Sequence, residues 1–196
     1  MAASPDRMAP RSGRGVALTP HPLTPTDVVQ AIEARLHRYR GGALAVKYTL
    51  TGHLERVRIP EPRPPRVADG LWQHTCCELF VRRAGAAAYH EFNFAPSAEW
   101  AGYTFEDYRK GARLLDASFD PRIVARVGPD LLELEAVIAL DRLSPLLAHA
   151  PLAVSITAIV EDRDGVLSYW ALEHPADRPD FHHRDAFVLE LDEIRN

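Results

Sequence analysis

The chain has 196 residues, 46% of them hydrophobic, and a formal net charge of −4. That length suits one domain, and the apolar content excludes global disorder. The mild acidity offers no electrostatic case for nucleic acid or an anionic membrane surface, and no apolar run approaches the ~20 residues of a helical membrane span.

Residues 1–23 are rich in Pro, Arg, Ser and Gly and read as a flexible tail, with a single domain over 24–196. The N-terminus lacks the apolar stretch of a secretory signal, so a cytoplasmic protein is expected. Thr24 to Arg38 reads as a helix: Thr26 is a capping residue, and Val28 or Val29, Ile32 and Leu36 fall at helical spacing. From Ala43 the texture turns to β. Leu44, Val46, Tyr48 and Leu50 alternate with Lys47 and Thr49. The stretch PEPRPPR at 60–66 is a loop that a central strand would not tolerate.

Further strands are expected at Thr75–Arg83, Ala88–Ala95 and Glu99–Phe105. The run Tyr108–Ala117 carries no clear signal. Pro121–Val127 and Leu131–Leu140 flank Gly128-Pro129-Asp130, a hairpin turn. Asp141–Leu147 fits one helical turn. Leu152–Glu161, Val166–Leu172 and Ala186–Leu191 complete nine or ten short strands with one N-terminal helix. The pattern fits an all-β fold, an antiparallel β-sandwich of jelly-roll type.

The strand period sorts the central motifs. In 88–95, His90, Phe92 and Phe94 share one face, and Tyr89, Glu91 and Asn93 the other. In 75–83, Cys77, Leu79 and Val81 oppose Cys76, Glu78 and Phe80. If the two strands pair with their apolar faces inward, Glu78, Phe80, Tyr89, Glu91 and Asn93 stand side by side outside. An ordinary solvated face carries Lys, Thr, Ser and Arg. This one carries carboxylates, an amide and rings, the groups that hold polyhydroxylated ligands. A plain solvated face remains the competing reading.

Other constellations are weaker. Glu78, Glu91 and Glu99 could serve glycoside hydrolysis, which needs two carboxyls at a set separation. His174, His182 and His183 with Asp177, Asp180 and Asp185 could ligate a metal. Adjacent histidines in a strand point apart, however, and the segment reads instead as a Pro-pinned loop, a natural pocket wall, with Arg184 paired to an aspartate. Ser97 has no nucleophile-elbow context. Cys76 and Cys77 read as reduced core residues. With no phosphate-binding or dinucleotide glycine motif, no cofactor and no metal are expected.

The runs Gly70-Leu71-Trp72-Gln73-His74-Thr75-Cys76-Cys77-Glu78-Leu79-Phe80-Val81 and Tyr89-His90-Glu91-Phe92-Asn93-Phe94-Ala95-Pro96-Ser97-Ala98-Glu99-Trp100 resemble the DOMON-like bacterial proteins. That superfamily includes the family-nine carbohydrate-binding modules. Tyr169-Trp170-Ala171-Leu172 and Pro179 to Asp185 add to the likeness, which covers roughly residues 40–192. The resemblance implies a β-sandwich with a ligand pocket on one sheet. In sugar-binding relatives a Trp and an acidic residue of the first motif touch the sugar, and Trp72 and Glu78 match them here. Trp170 or the His182–Asp185 loop would close the site. Haem-binding members use Met and His ligands, and the only methionines here are Met1 and Met8.

The sequence therefore points to a non-catalytic binder of a small polar ligand, a carbohydrate among the candidates. Its candidate site is Trp72, Glu78, Tyr89, Glu91, Asn93, Trp100, Arg109, Trp170, His182 and Arg184. Arg109 is included because a guanidinium orients carboxylates or takes an anionic group. The alternatives are a glycosidase-like hydrolase using the paired glutamates, and a protein-interaction module.

Overall fold

The structure, a computed structural model, describes residues 14–114 and 119–194. In chain order these form β1 (Arg14–Pro20), β2 (Val29–Arg38), β3 (Ala43–Gly52), β4 (Arg66–Val67), β5 (Cys76–Arg83), β6 (Tyr89–Phe94) and β7 (Glu99–Asp107). There follow β8 (Lys110–Arg113), β9 (Arg122–Val127), β10 (Leu131–Ala139), α1 (Pro145–His149), β11 (Leu152–Glu161), β12 (Leu167–Ala171) and β13 (Leu189–Leu191). The fold is all-β, as the alternation predicts.

The strands follow one hydrogen-bonded path, β4-β7-β6-β5-β11-β12-β1-β2-β3-β10-β9, curled into a half-barrel. β8 extends β7, and β13 pairs the N-terminal end of β11. Pairings are antiparallel except β4 with β7. The inside of the curl holds the main core. There Ile32, Val46, Leu50 and Leu134 share a buried cluster with Leu79, Phe92, Phe94 and Ile156. Tyr48 crosses it, its hydroxyl donating to the Glu78 carbonyl at 2.6 Å. A buried phenol finds such a partner because an unpaired one is costly.

Two sequence expectations are overturned. No N-terminal helix forms at 24–38, because Val29–Arg38 is strand β2. Ile32, Ala34 and Leu36 point inward while Glu33 and Arg35 stay out. The period-2 pattern is masked upstream by a register slip between Val29 and Ala31. Thr26 does accept a backbone N–H, from Val28 at 3.1 Å, but it closes a turn before a strand. The expected tail is also partly structured. Arg14–Pro20 is β1, pairing β2 on one side and β12 on the other. The rest of that segment, residues 1–13, lies outside the described residues.

Among the described residues the only α-helix is the five-residue α1, capped by Ser144, whose hydroxyl accepts from the Leu146 N–H. No helix among them is long and apolar enough to cross a membrane. The unread run 108–117 contains β8, with residues 115–118 outside the described set.

Candidate ligand pocket

The floor of the pocket is set by strand register. β5 and β6 pair so that Glu78 faces Asn93 and Phe80 faces Glu91. On the next strands Glu91 faces Tyr103, and Glu78 faces Thr157. All these side chains rise from the outer face of the sheet, the one away from Leu79 and Phe92. The face is not solvated: Glu78 is 2% exposed and Glu91 5%. The chain after β12 folds back over it.

That covering segment is tied down at several points. His174 Nε2 lies 2.9 Å from the Thr19 carbonyl, and His21 Nε2 lies 3.3 Å from that of Ala176. Asp180 accepts from Arg109 at 2.9 Å, from the Tyr108 hydroxyl at 2.8 Å and from the His182 N–H at 3.1 Å. Phe181 and Phe187 pack edge-on against Phe80. Between segment and sheet a cavity of about 380 Å³ remains, within the size range of small-ligand sites. Its walls are largely aromatic: Trp72, Tyr103, Phe105, Tyr169 and Phe181. Glu78, Glu91, Arg109 and His182 supply the polar groups.

Trp72 owes its place to a short 3₁₀ turn, Leu71–Gln73, entered through Gly70 at φ +73°, a backbone state that glycine adopts without penalty. Asp69 fixes this turn to the sheet by accepting from both the Gly70 N–H and the Tyr103 hydroxyl. Trp72 is 48% exposed, so it stands at the mouth of the cavity.

The electrostatics follow from burial. The Glu78 carboxyl is pushed well above the usual carboxylate range, first by burial and then by the neighbouring Glu91, against a hydrogen bond from Thr157 Oγ1 at 3.1 Å. Burial lifts Glu91 to about 7, opposed by the Asn93 amide, which donates to Oε1 at 2.9 Å, and by Arg109. His182 is held down at about 4, chiefly by burial and then by Arg109. It is therefore neutral at pH 7. The Arg109 backbone N–H donates to the Tyr89 hydroxyl at 3.1 Å, and that hydroxyl is hydrogen-bonded to His182 Nδ1 at 2.8 Å. The other ring nitrogen, Nε2, lies 3.6 Å from Glu91 Oε2.

Of the sequence candidates, Trp72, Glu78, Glu91, Arg109 and His182 line the cavity. Tyr89 and Asn93 sit behind it, holding His182 and Glu91. Three candidates are displaced. Trp100 is opposite Phe94 on the core face of β7 and stacks edge-on with Phe119. Trp170 is also a core residue, its indole N–H donating to Ser168 at 3.1 Å. Arg184 lies outside on a 3₁₀ turn, 3.9 Å from Asp185, beside a neighbouring cleft that also includes Arg82.

Sequence reasoning missed Tyr103, Phe105 and Tyr169. Tyr103 and Phe105 are two apart on β7 and so share a face. Tyr169 faces Ile159, which faces Cys76, putting it on the Glu78 side of the sheet. Adjacent Tyr169 and Trp170 must point apart, and the larger ring took the core.

The weaker constellations resolve individually. Glu99 is bound to Arg66 at 2.6 Å and to the Ser97 hydroxyl, and is held below its ordinary range by them, away from the cavity. His182 and His183 diverge, the latter lying 3.9 Å from Asp185. No group of three metal-binding side chains gathers among the described residues. Cys76 and Cys77 are buried free thiols, pushed up by burial.

No protein-family model and no curated protein matches this chain. Solved structures do. A candidate carbohydrate-binding protein from Bacteroides uniformis ATCC 8492 matches at TM-score 0.66 and 13% identity, covering 88% of this chain and 83% of that one. That likeness establishes a shared fold. A family 9 carbohydrate-binding module from Caldicellulosiruptor kristjanssonii in complex with glucose matches at 0.49 and 13% identity over 83% and 75% of the two chains. Its complex with cellotriose matches at 0.47 and 13% over 79% and 71%.

Proposed function

We propose that this protein is a non-catalytic binder of a small saccharide, held in the cavity over β5, β6 and β7. The observation that carries the reading is the cavity itself: about 380 Å³, walled by aromatic rings and floored by two carboxyls. Rings stack on the C–H faces of a sugar, while carboxyls, an imidazole nitrogen and a guanidinium meet its hydroxyls. The shared fold with a candidate carbohydrate-binding protein supports it. A jelly-roll packing of the DOMON-like kind and a cytoplasmic location belong to the same proposal.

Hydrolysis is the less supported reading. Glycosidase carboxyls flank the scissile bond from two sides. Glu78 and Glu91 rise diagonally from adjacent strands of one floor. Burial also pushes both toward the protonated form, leaving neither as a fully ionised carboxylate at neutral pH to act as nucleophile or base.

The test is calorimetry against a panel of neutral, amino and acidic mono- and disaccharides. At least one should bind, and Trp72→Ala should weaken it about tenfold, or about 1.4 kcal/mol, without moving the melting temperature. Silence across the panel at millimolar sugar sinks the reading.

A further inference from the structure

The floor of the cavity has an unusual charge inventory. Glu78 and Glu91 are both more than nine-tenths buried, yet among the described residues neither faces a free cation. The one guanidinium lining the cavity, Arg109, is engaged by Asp180 at 2.9 Å and by the Tyr108 hydroxyl at 3.3 Å. His182 carries no charge at neutral pH. Asp69, which accepts from the Tyr103 hydroxyl, lies 3.9 Å from Arg113. Among the described residues the Glu78 carboxyl receives one hydrogen bond, from Thr157, and Glu91 one from Asn93. Two carboxyls buried without a dedicated counter-charge are costly when ionised, and burial pushes both toward the protonated form. A ligand for which they are complementary would bring the missing positive charge. The walls favour the same ligand, because tyrosine, tryptophan and phenylalanine faces attract a cation and the attraction grows once water is excluded.

We propose that the saccharide bound here is an amino sugar, its ammonium seated between Glu78 and Glu91 and its ring face against the aromatic wall. This rests on the saccharide reading of the same cavity. It adds a chemical reason for two features that a neutral sugar leaves unexplained: the pairing of carboxyls and, among the described residues, a single lining guanidinium that is already engaged by Asp180. An ammonium donates up to three hydrogen bonds, enough to satisfy both carboxylates at once. Seating it releases the protons they hold, so ionisation and binding proceed together.

Calorimetry at pH 7 with four probes separates the possibilities: glucosamine, glucose, N-acetylglucosamine and choline. Glucosamine should bind at least tenfold tighter than glucose and than N-acetylglucosamine, whose amide is uncharged. Glu91→Gln keeps the side-chain volume and should cut that advantage to less than threefold, with Glu78→Gln as the second variant should the first fail to fold. Glucose binding as tightly as glucosamine overturns the amine inference and leaves the saccharide reading standing. A choline response with none from any sugar upholds the ammonium seat and ends the saccharide reading. No response to any of the four probes ends both.

Discussion

Two stretches of the same sheet, β3–β10 and β5–β6, obey the same two-residue period and end differently. On β10 the outward residues are Glu133, Glu135 and their neighbours. Glu133 pairs with Lys47 and lies 3.8 Å from Arg126, and this face meets water. On β5 and β6 the outward residues include Glu78, Phe80, Glu91 and Asn93, and these four are buried. Period alone separates two faces without saying which is wet. Composition says more: carboxylates with lysine partners across the strand mark an open face, and carboxylates among rings mark a covered one.

The sharpest way to break this contrast is to remove the ring on which the cover sits. Phe80 is 1% exposed and meets Tyr89, Phe181, His182 and Phe187. Phe80→Ala should cost about 4 kcal/mol of unfolding free energy in urea titration. A loss near zero would mean that the cover does not depend on that ring.

The second expectation is a pH dependence confined to the covered face. The folded Glu91 carboxyl keeps its proton up to about 7, against 4.5 for an ordinary glutamate. Over that window the folded state binds more protons than the unfolded one, so stability falls as pH rises from about 4.5 through 7. The loss should reach about 3 kcal/mol, with Glu78 adding in the same direction. Melting curves from pH 5 to 8 should show the decline, and Glu91→Gln should flatten it. A curve equally steep in the variant would assign the dependence elsewhere.

The smallest effect belongs to the open face. Lys47→Ala removes a pair whose side chains are 38% and 25% exposed, and should change stability by about 0.5 kcal/mol or less. A loss as large as that of Phe80→Ala would erase the distinction between the faces.

Much of this was legible in the chain. The alternation in 75–83 and 88–95 correctly separates Leu79, Phe92 and Phe94 from Glu78 and Glu91, because each strand is short and regular. Trp100 and Trp170 were misplaced for a physical reason. A ring's face depends on cross-strand register, and register depends on turns such as that containing Ala98 at φ +72°. The period of β2 is hidden in the sequence by one slipped residue. The cover could be named as a pocket wall from its polar density. Its contacts with Thr19 and Tyr89 join residues far apart in sequence, and local patterns carry no trace of them.

β1 has a kinetic consequence. It is the seam between β2 and β12, and Thr19 meets Ala171 at a sequence separation of 152. That edge of β1 stays open until β12, far along the chain, is in place. Closing so long a loop is slow, because its entropy is spent before any contact repays it. The seam should therefore form late in refolding, with the segment covering the carboxyls settling only afterwards, since it is anchored to the same strand.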